Sequence, residues 1–148
     1  MKVLISQIPG RAYSVQEKAK RISLEQVLKR ADFLTVHAPL SDVTRDLLNE
    51  PRIRKMKPGA FLINMARGGI VNEAALRKAL EKGWIAGAAS DVLTEEPPPR
   101  NHILINAPNL LLTPHIAWSS GEARRRLVQE IALNIEAFQK GRKRNRIV

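Results

Sequence analysis

The chain has 148 residues, 44% of them hydrophobic, which suits one ordinary domain with its own core and excludes disorder as a whole description. It has no cysteine, which excludes disulfide scaffolds, thiolate metal sites and cysteine catalysis, and its apolar runs fall well short of the roughly 20 residues of a membrane span, so a cytoplasmic protein off the membrane is expected. Twenty-five basic against 14 acidic residues give a net charge of +11, but 4% aromatics leave few platforms for stacking bases, and nucleic acid is not the expected partner.

Residues 2–6 (KVLIS) form a short apolar, β-branched run that predicts a strand, with Pro9-Gly10 as its exit turn. Ser23 and Gln26 stand in a capping-box arrangement, and Leu24, Val27, Leu28 and Ala31 recur at helical spacing behind them. Residues 33–37 are a second buried-type strand, ended by Pro39. Asn49 and Pro51 open a short helix, residues 60–63 make a third strand, and Asn72 caps a helix that passes Leu76 and Leu80 to a stop at Gly83. Residues 85–89 (IAGAA) read as a small-residue strand, in which a helix or ligand could approach the backbone closely.

A loop rich in proline and charge runs over residues 94–108, and residues 110–112 form a last short strand ending at Thr113-Pro114-His115. Ser119 and Glu122 predict the capping box of a final helix over 119–140, with Ala123, Leu127, Ile131, Leu133, Ile135 and Phe138 as its apolar positions. Five basic residues among the last nine positions (Lys140, Arg142, Lys143, Arg144, Arg146) read as a solvated helix end and a basic tail over 141–148. Strands alternating with helices of this length predict βαβ units: an α/β fold with a parallel sheet covered on both faces. No internal repeat and no linker between two domains is evident.

In parallel α/β sheets ligands bind beyond the carboxyl ends of the strands. The residues found there are Gln7, then His37-Ala38-Pro39, then residues 64–69 (NMARGG), then Asp91 through Glu96, then His115 to Trp118. Taken singly, Arg67 also reads as a surface arginine at a turn, His115 as a core histidine with a satisfied ring, and Glu95 and Glu96 as loop acids. His37 reads as structural and His102 as exposed loop. Their joint occurrence at successive strand ends points to the reduction of a carbonyl beside a carboxylate. A planar guanidinium matches a carboxylate with two parallel hydrogen bonds, which suits Arg67. The alkoxide that develops must be protonated, which suits the imidazole of His115, and a carboxylate such as Glu96 stabilises the charged ring and fixes its tautomer. The hydride must come from a cofactor.

These residues resemble the D-isomer-specific 2-hydroxyacid dehydrogenases, in particular their glycerate dehydrogenase or hydroxypyruvate reductase branch. The resemblance is carried by ADFLTVHAPL (31–40), MKPGAFLINMARGGIV (56–71), AGAASDVLTEEP (86–97) and LTPHIAW (112–118), with Glu122-Ala123 beyond. It implies a Rossmann-like doubly wound parallel sheet, NAD or NADP as cofactor, and a small 2-keto or 2-hydroxy acid as substrate. It also implies that Arg67 binds the substrate, that His115 is the acid/base, and that Glu96 is the partner of that histidine. Asp91 is the implied cofactor-contacting aspartate. Ala38 and Pro39, Met65, Ala66 and Arg67, and His115, Ala117 and Trp118 lie where the family meets its cofactor, and the full-length enzyme is expected to be a homodimer.

Two features depart from the family pattern. Its glycine-rich dinucleotide turn is not found among the eight glycines, which include no G-x-G, so the first βα unit is expected upstream of Met1 and the chain to be the C-terminal portion of a longer enzyme, a partial NAD(P)-binding domain over residues 1–148. In the strand order 3-2-1-4-5-6, residues 2–6 would then be strand 2 and residues 60–63 strand 4, both beside the absent strand 1. Gln7 stands where relatives that use NAD commonly carry an acid for the ribose hydroxyls, and with Arg11 nearby it leaves NADP open. The competing expectation is a non-catalytic, basic α/β binding module left by truncation. A His/Glu hydrolase is weaker, since no activated Ser or Cys motif accompanies His115.

Overall fold

The computed structural model describes residues 1–8, 10, 12 and 20–146. Pro9 of the expected exit turn and Arg11, expected near the cofactor, lie outside the described residues, as do the last two positions of the basic tail. The chain divides into two compact units, Met1–Pro114 and His115–Val148, a division that falls inside the LTPHIAW motif, where the sequence shows no linker.

The first unit holds two parallel sheets. Strands β1 (Ile5–Ser6) and β2 (Arg21–Ile22) pair in parallel. The expected strand over residues 2–6 is thus shortened to its last two residues, because its partner is only two residues long and a strand extends no further than its ladder. β2 was not legible as a strand, since two residues carry no alternation. Helix α1 (Leu24–Arg30) begins at the expected capping box, with Ser23 and Gln26 satisfying each other's backbone N–H groups.

The second sheet has the order β3-β4-β5-β6, all parallel, from Phe33–Val36, Phe61–Asn64, Gly87–Ser90 and Leu110–Leu112. β3 is its edge strand and β4 lies between β3 and β5, which corrects the expectation that residues 60–63 border the position of strand 1. Among the described residues β1 and β4 belong to different sheets. β5 starts two residues later than expected, because Ala86 N–H still bonds to the carbonyl of Ala60, ahead of the ladder proper.

One sheet face turns Leu34, Val36, Leu62 and Ala88 into the core, where they meet Val27 and Leu28 of α1, Ile53 of helix α2 (Glu50–Ile53), and Ala75, Leu76, Ala79 and Leu80 of helix α3 (Glu73–Glu81). On the other face Phe33 is 65% and Leu111 64% exposed, and Phe33 stacks on the Phe61 ring at 5.4 Å. Glu50 of α2 accepts from Lys78 of α3 at 2.9 Å, and this lysine, with Arg54, holds the Glu50 carboxyl below the usual carboxylate range.

The turn after β4 is fixed from two sides. Residues 46–48 pair with residues 69–72 through backbone bonds from Asp46 to Gly69 and from Leu48 to Ile70. Gly69 has φ +78°, a left-handed conformation that glycine adopts without a Cβ penalty. At Gly68 the constraint is space: a Cβ there would lie 2.0 Å from the Leu93 carbonyl oxygen and 2.5 Å from the Thr94 nitrogen. The loop after β5 therefore passes directly against the backbone of the turn after β4.

In the second unit, helix α4 (Gly121–Gln139) is capped by Ser120, whose hydroxyl accepts from Ala123 N–H at 3.1 Å. The cap expected at Ser119 is thus one residue late in the chain, because the Ser119 hydroxyl is engaged with the Ile116 carbonyl at 2.6 Å. No residue of α4 is buried; of the expected apolar stripe, Leu127, Ile131, Ile135 and Phe138 are at least half exposed, and Ala123 and Leu133 are partly buried. No helix of the described residues is long and apolar enough to cross a membrane.

Two stability effects follow. Leu62→Ala, at a 1% exposed position in an interior strand, is expected to cost about 2–5 kcal/mol in urea unfolding. Gly68→Ala, which forces a methyl group into backbone, is expected to cost about 1–3 kcal/mol or more, whereas Gly59→Ala, with open space around it, serves as the mild control.

Candidate functional site

Because β3 to β6 are all parallel, their carboxyl ends share one edge of the sheet. Each end is shaped by a buried or partly buried polar side chain. After β3 the turn at Ala38-Pro39 is held by Thr44, 1% exposed, whose hydroxyl donates to the Pro39 carbonyl at 2.6 Å. At the end of β4, Asn64 is 4% exposed; its amide donates to the Arg67 carbonyl at 3.1 Å and its Oδ1 accepts from Ala66 N–H at 3.2 Å. The last side chain of the strand thereby folds the turn that carries Arg67. The arginine is exposed, with Nη1 donating to the Ala66 carbonyl at 2.8 Å. Met65 beside it is 39% exposed.

At the end of β5, Asp91 is 3% exposed, its N–H donates to the Asn64 carbonyl at 3.0 Å, and its carboxylate accepts from the Thr113 hydroxyl at the end of β6. Thr113 N–H in turn donates to the Ser90 carbonyl at 3.1 Å. Asn64, Asp91 and Thr113 thus link the ends of three adjacent strands. Beyond Asp91 the chain runs past Gly68 and turns out to Glu96, an exposed residue whose Oε1 accepts from Leu93 N–H at 2.8 Å. The structure therefore brings the Arg67 turn and the Glu96 loop together, and the contact that does so is backbone against backbone at Gly68.

His115 opens the second unit, directly after the Thr113-Pro114 that ends β6. It is exposed and has φ +55°, a region that a non-glycine residue occupies only at a cost. Its carbonyl accepts from the indole N–H of Trp118 at 3.0 Å, which closes the segment that also carries Ala117. Gln7, at the end of β1, is exposed and spends its backbone N–H on the Ile22 carbonyl at 2.8 Å.

The sequence reading missed the roles of several residues. Asn64 and Thr113 stood in the strand-end motifs without a function, although a polar residue that ends an apolar strand is a visible signal. His37, read as structural, is exposed. His102, read as exposed loop, is a correction in the other direction: its side chain is only 9% exposed, because its ring bonds to the Glu73 carboxylate at 3.2 Å. Among the described residues no cluster of His, Cys, Asp and Glu could hold a metal ion.

Residues 1–117 match the sequence profile described as D-isomer specific 2-hydroxyacid dehydrogenase, NAD binding domain. Glycerate dehydrogenase of Methylorubrum extorquens is 43% identical over 136 residues, which cover 90% of this chain and 43% of that protein. Glyoxylate reductase of Thermofilum pendens is 49% identical over 118 residues, covering 80% of this chain and 35% of that one. The crystal structure of a D-isomer specific 2-hydroxyacid dehydrogenase from Lactobacillus delbrueckii ssp. bulgaricus, in its NAD complexed form, superposes with a TM-score of 0.78 at 32% identity, over 90% of this chain and 45% of that chain. The chain spans less than half the length of each of these relatives. The matched profile, these identities and the parallel sheet with its strand-end residues establish that the chain belongs to the D-isomer specific 2-hydroxyacid dehydrogenases, within their NAD binding domain.

Proposed function

We propose that the chain supplies the arginine, the acid/base and the nicotinamide end of the cofactor site in an enzyme that reduces a small 2-keto acid, of the hydroxypyruvate or glyoxylate type, to its D-2-hydroxy acid. The observation that carries this reading is the backbone approach at Gly68, which puts the turn bearing Arg67 against the loop bearing Glu96 on the edge where the parallel strands end. The names of the two curated relatives support the substrate type.

The residues present fit the nicotinamide end of such a cofactor. Ala38 and Ala66 are small side chains at strand ends, Asp91 is a buried carboxylate at the end of β5, and Met65 adds a partly exposed apolar surface. Met65, Ala66, Asp91 and, from the second unit, His115, Ala117 and Trp118 are the residues assigned to it, with Gln7 assigned to the adenosine ribose. When bound, the dinucleotide supplies the hydride. Arg67 fixes the orientation of the keto acid by a bidentate grip on its carboxylate. His115 is assigned as the group that gives a proton to the carbonyl oxygen as negative charge develops there, and Glu96 is assigned as its carboxylate partner. A homodimer in the cytoplasm is the assigned form of the full-length enzyme, and dehydrogenase activity is not expected of the 148-residue chain alone.

The test compares this chain with the same chain extended at its N-terminus by the upstream region of a relative, in NADH and NADPH oxidation with hydroxypyruvate and glyoxylate. Turnover by the extended protein supports the reading; its lack, together with binding to a polyanion such as heparin, identifies a basic binding module instead. In the extended protein Arg67→Lys is expected to raise KM sharply and lower kcat, since a point charge does not reproduce the fork. His115→Ala is expected to lose about two to four orders of magnitude in rate with cofactor affinity kept. Glu96→Gln is expected to lower kcat about tenfold or more with cofactor affinity kept, because a neutral amide does not support the proton donor as a carboxylate does. Gln7→Asp is expected to shift the cofactor ratio toward NADH, and an unchanged ratio would remove this strand end from the ribose site.

A further inference from the structure

The loop that carries Glu96 is exposed from residue 94 to residue 101, yet both of its ends are held by helix α3. Glu73, the first residue of α3, accepts from Thr94 N–H through Oε1 at 2.7 Å and from the His102 ring through Oε2 at 3.2 Å. A carboxylate is favoured at this place by the unpaired N–H groups of the first helical turn. His102 Nδ1 accepts from Leu104 N–H at 3.3 Å, which leaves Nε2 as the protonated nitrogen that donates to Glu73. The pair is enclosed, with side chains 9% and 16% exposed.

One turn along the same face of α3, Arg77 Nη1 donates to the Ile103 carbonyl at 3.0 Å, and Leu104, 2% exposed, anchors the loop exit in the core. Eight exposed residues are thus strung between two hydrogen bonds to a single carboxylate. Neither Glu73 nor His102 has a part in the proposed chemistry.

We infer that Glu73 and His102 are positioning residues: their hydrogen bonds hold the 94–102 loop in the register that sets the Glu96 carboxylate on Leu93 N–H beside the Arg67 turn. The use of that carboxylate in catalysis rests on the function proposed above, but its placement does not. Glu73→Ala removes both acceptors. Glu73→Gln keeps one for Thr94 and a side chain of the same length, and so is the rescue variant. His102→Gln keeps a donor toward Glu73 and loses the acceptor for Leu104.

The test is made on the 148-residue chain by NMR, reading the Leu93 amide, which none of these substitutions touches. In the unsubstituted protein this proton is expected to follow the Glu96 carboxyl as pH is varied, a response that Glu96→Gln abolishes. In Glu73→Ala the response is expected to disappear and Leu93 amide exchange to accelerate about tenfold or more, the effect of losing about 1.4 kcal/mol of local stability. Glu73→Gln is expected to restore most of both, with amides of β4 and β5 unchanged throughout. A Leu93 response and exchange rate that persist in Glu73→Ala, or a loss in Glu73→Gln and His102→Gln equal to that in Glu73→Ala, would overturn the inference. If the clamp holds while Glu96→Gln leaves kcat of the extended enzyme unchanged, the catalytic role of Glu96 fails and the positioning stands.

Discussion

The constraint on which the candidate site depends is the lack of a side chain at Gly68. Any Cβ there would collide with the Leu93 carbonyl carbon at 2.2 Å and its oxygen at 2.0 Å, and a peptide group has no rotamer through which to yield. The start of the loop after β5 is placed by this approach. The turn is held in turn by Asn64 beneath it and by the pairing of residues 46–48 with residues 69–72 behind it, so that the Arg67 backbone has little freedom while its side chain reaches outward. A fixed turn that presents an exposed guanidinium suits a residue that must meet a small planar anion.

The same economy runs along the sheet edge. Asn64, Asp91 and Thr113 are short polar side chains that bond sideways to neighbouring strand ends, which fixes three loops relative to one another without filling the space above them. Buried polar groups of this kind cost stability unless each is satisfied. Here the cost is met by bonds to backbone and to one another, and among the described residues no buried side-chain nitrogen or oxygen lacks a partner.

Much of this was legible in the sequence. The helical spacing of Leu24, Val27, Leu28 and Ala31 after the Ser23 capping box, and the Asn72 cap with its stop at Gly83, gave helices where the structure has them. The GG pair after Arg67 announced a turn with special backbone needs, though not that one glycine serves conformation and the other space. What was not legible depends on partners distant in sequence. β2 exists only because Ile5–Ser6 lies alongside it, the edge position of β3 is a property of sheet order and not of its residues, and the burial of His102 is caused by Glu73, 29 residues away.

The account places ligand recognition on the strand-end edge and not on the basic helix. The most direct measurement is a titration of the isotopically labelled chain with NADH and oxamate, an unreactive 2-keto acid analogue, at millimolar concentrations where weak binding is still visible in amide chemical shifts. The account predicts that the largest changes fall in residues 65–69, 91–96 and 113–118. Changes confined to α4 and the basic residues after it, with the strand ends unmoved, would contradict it.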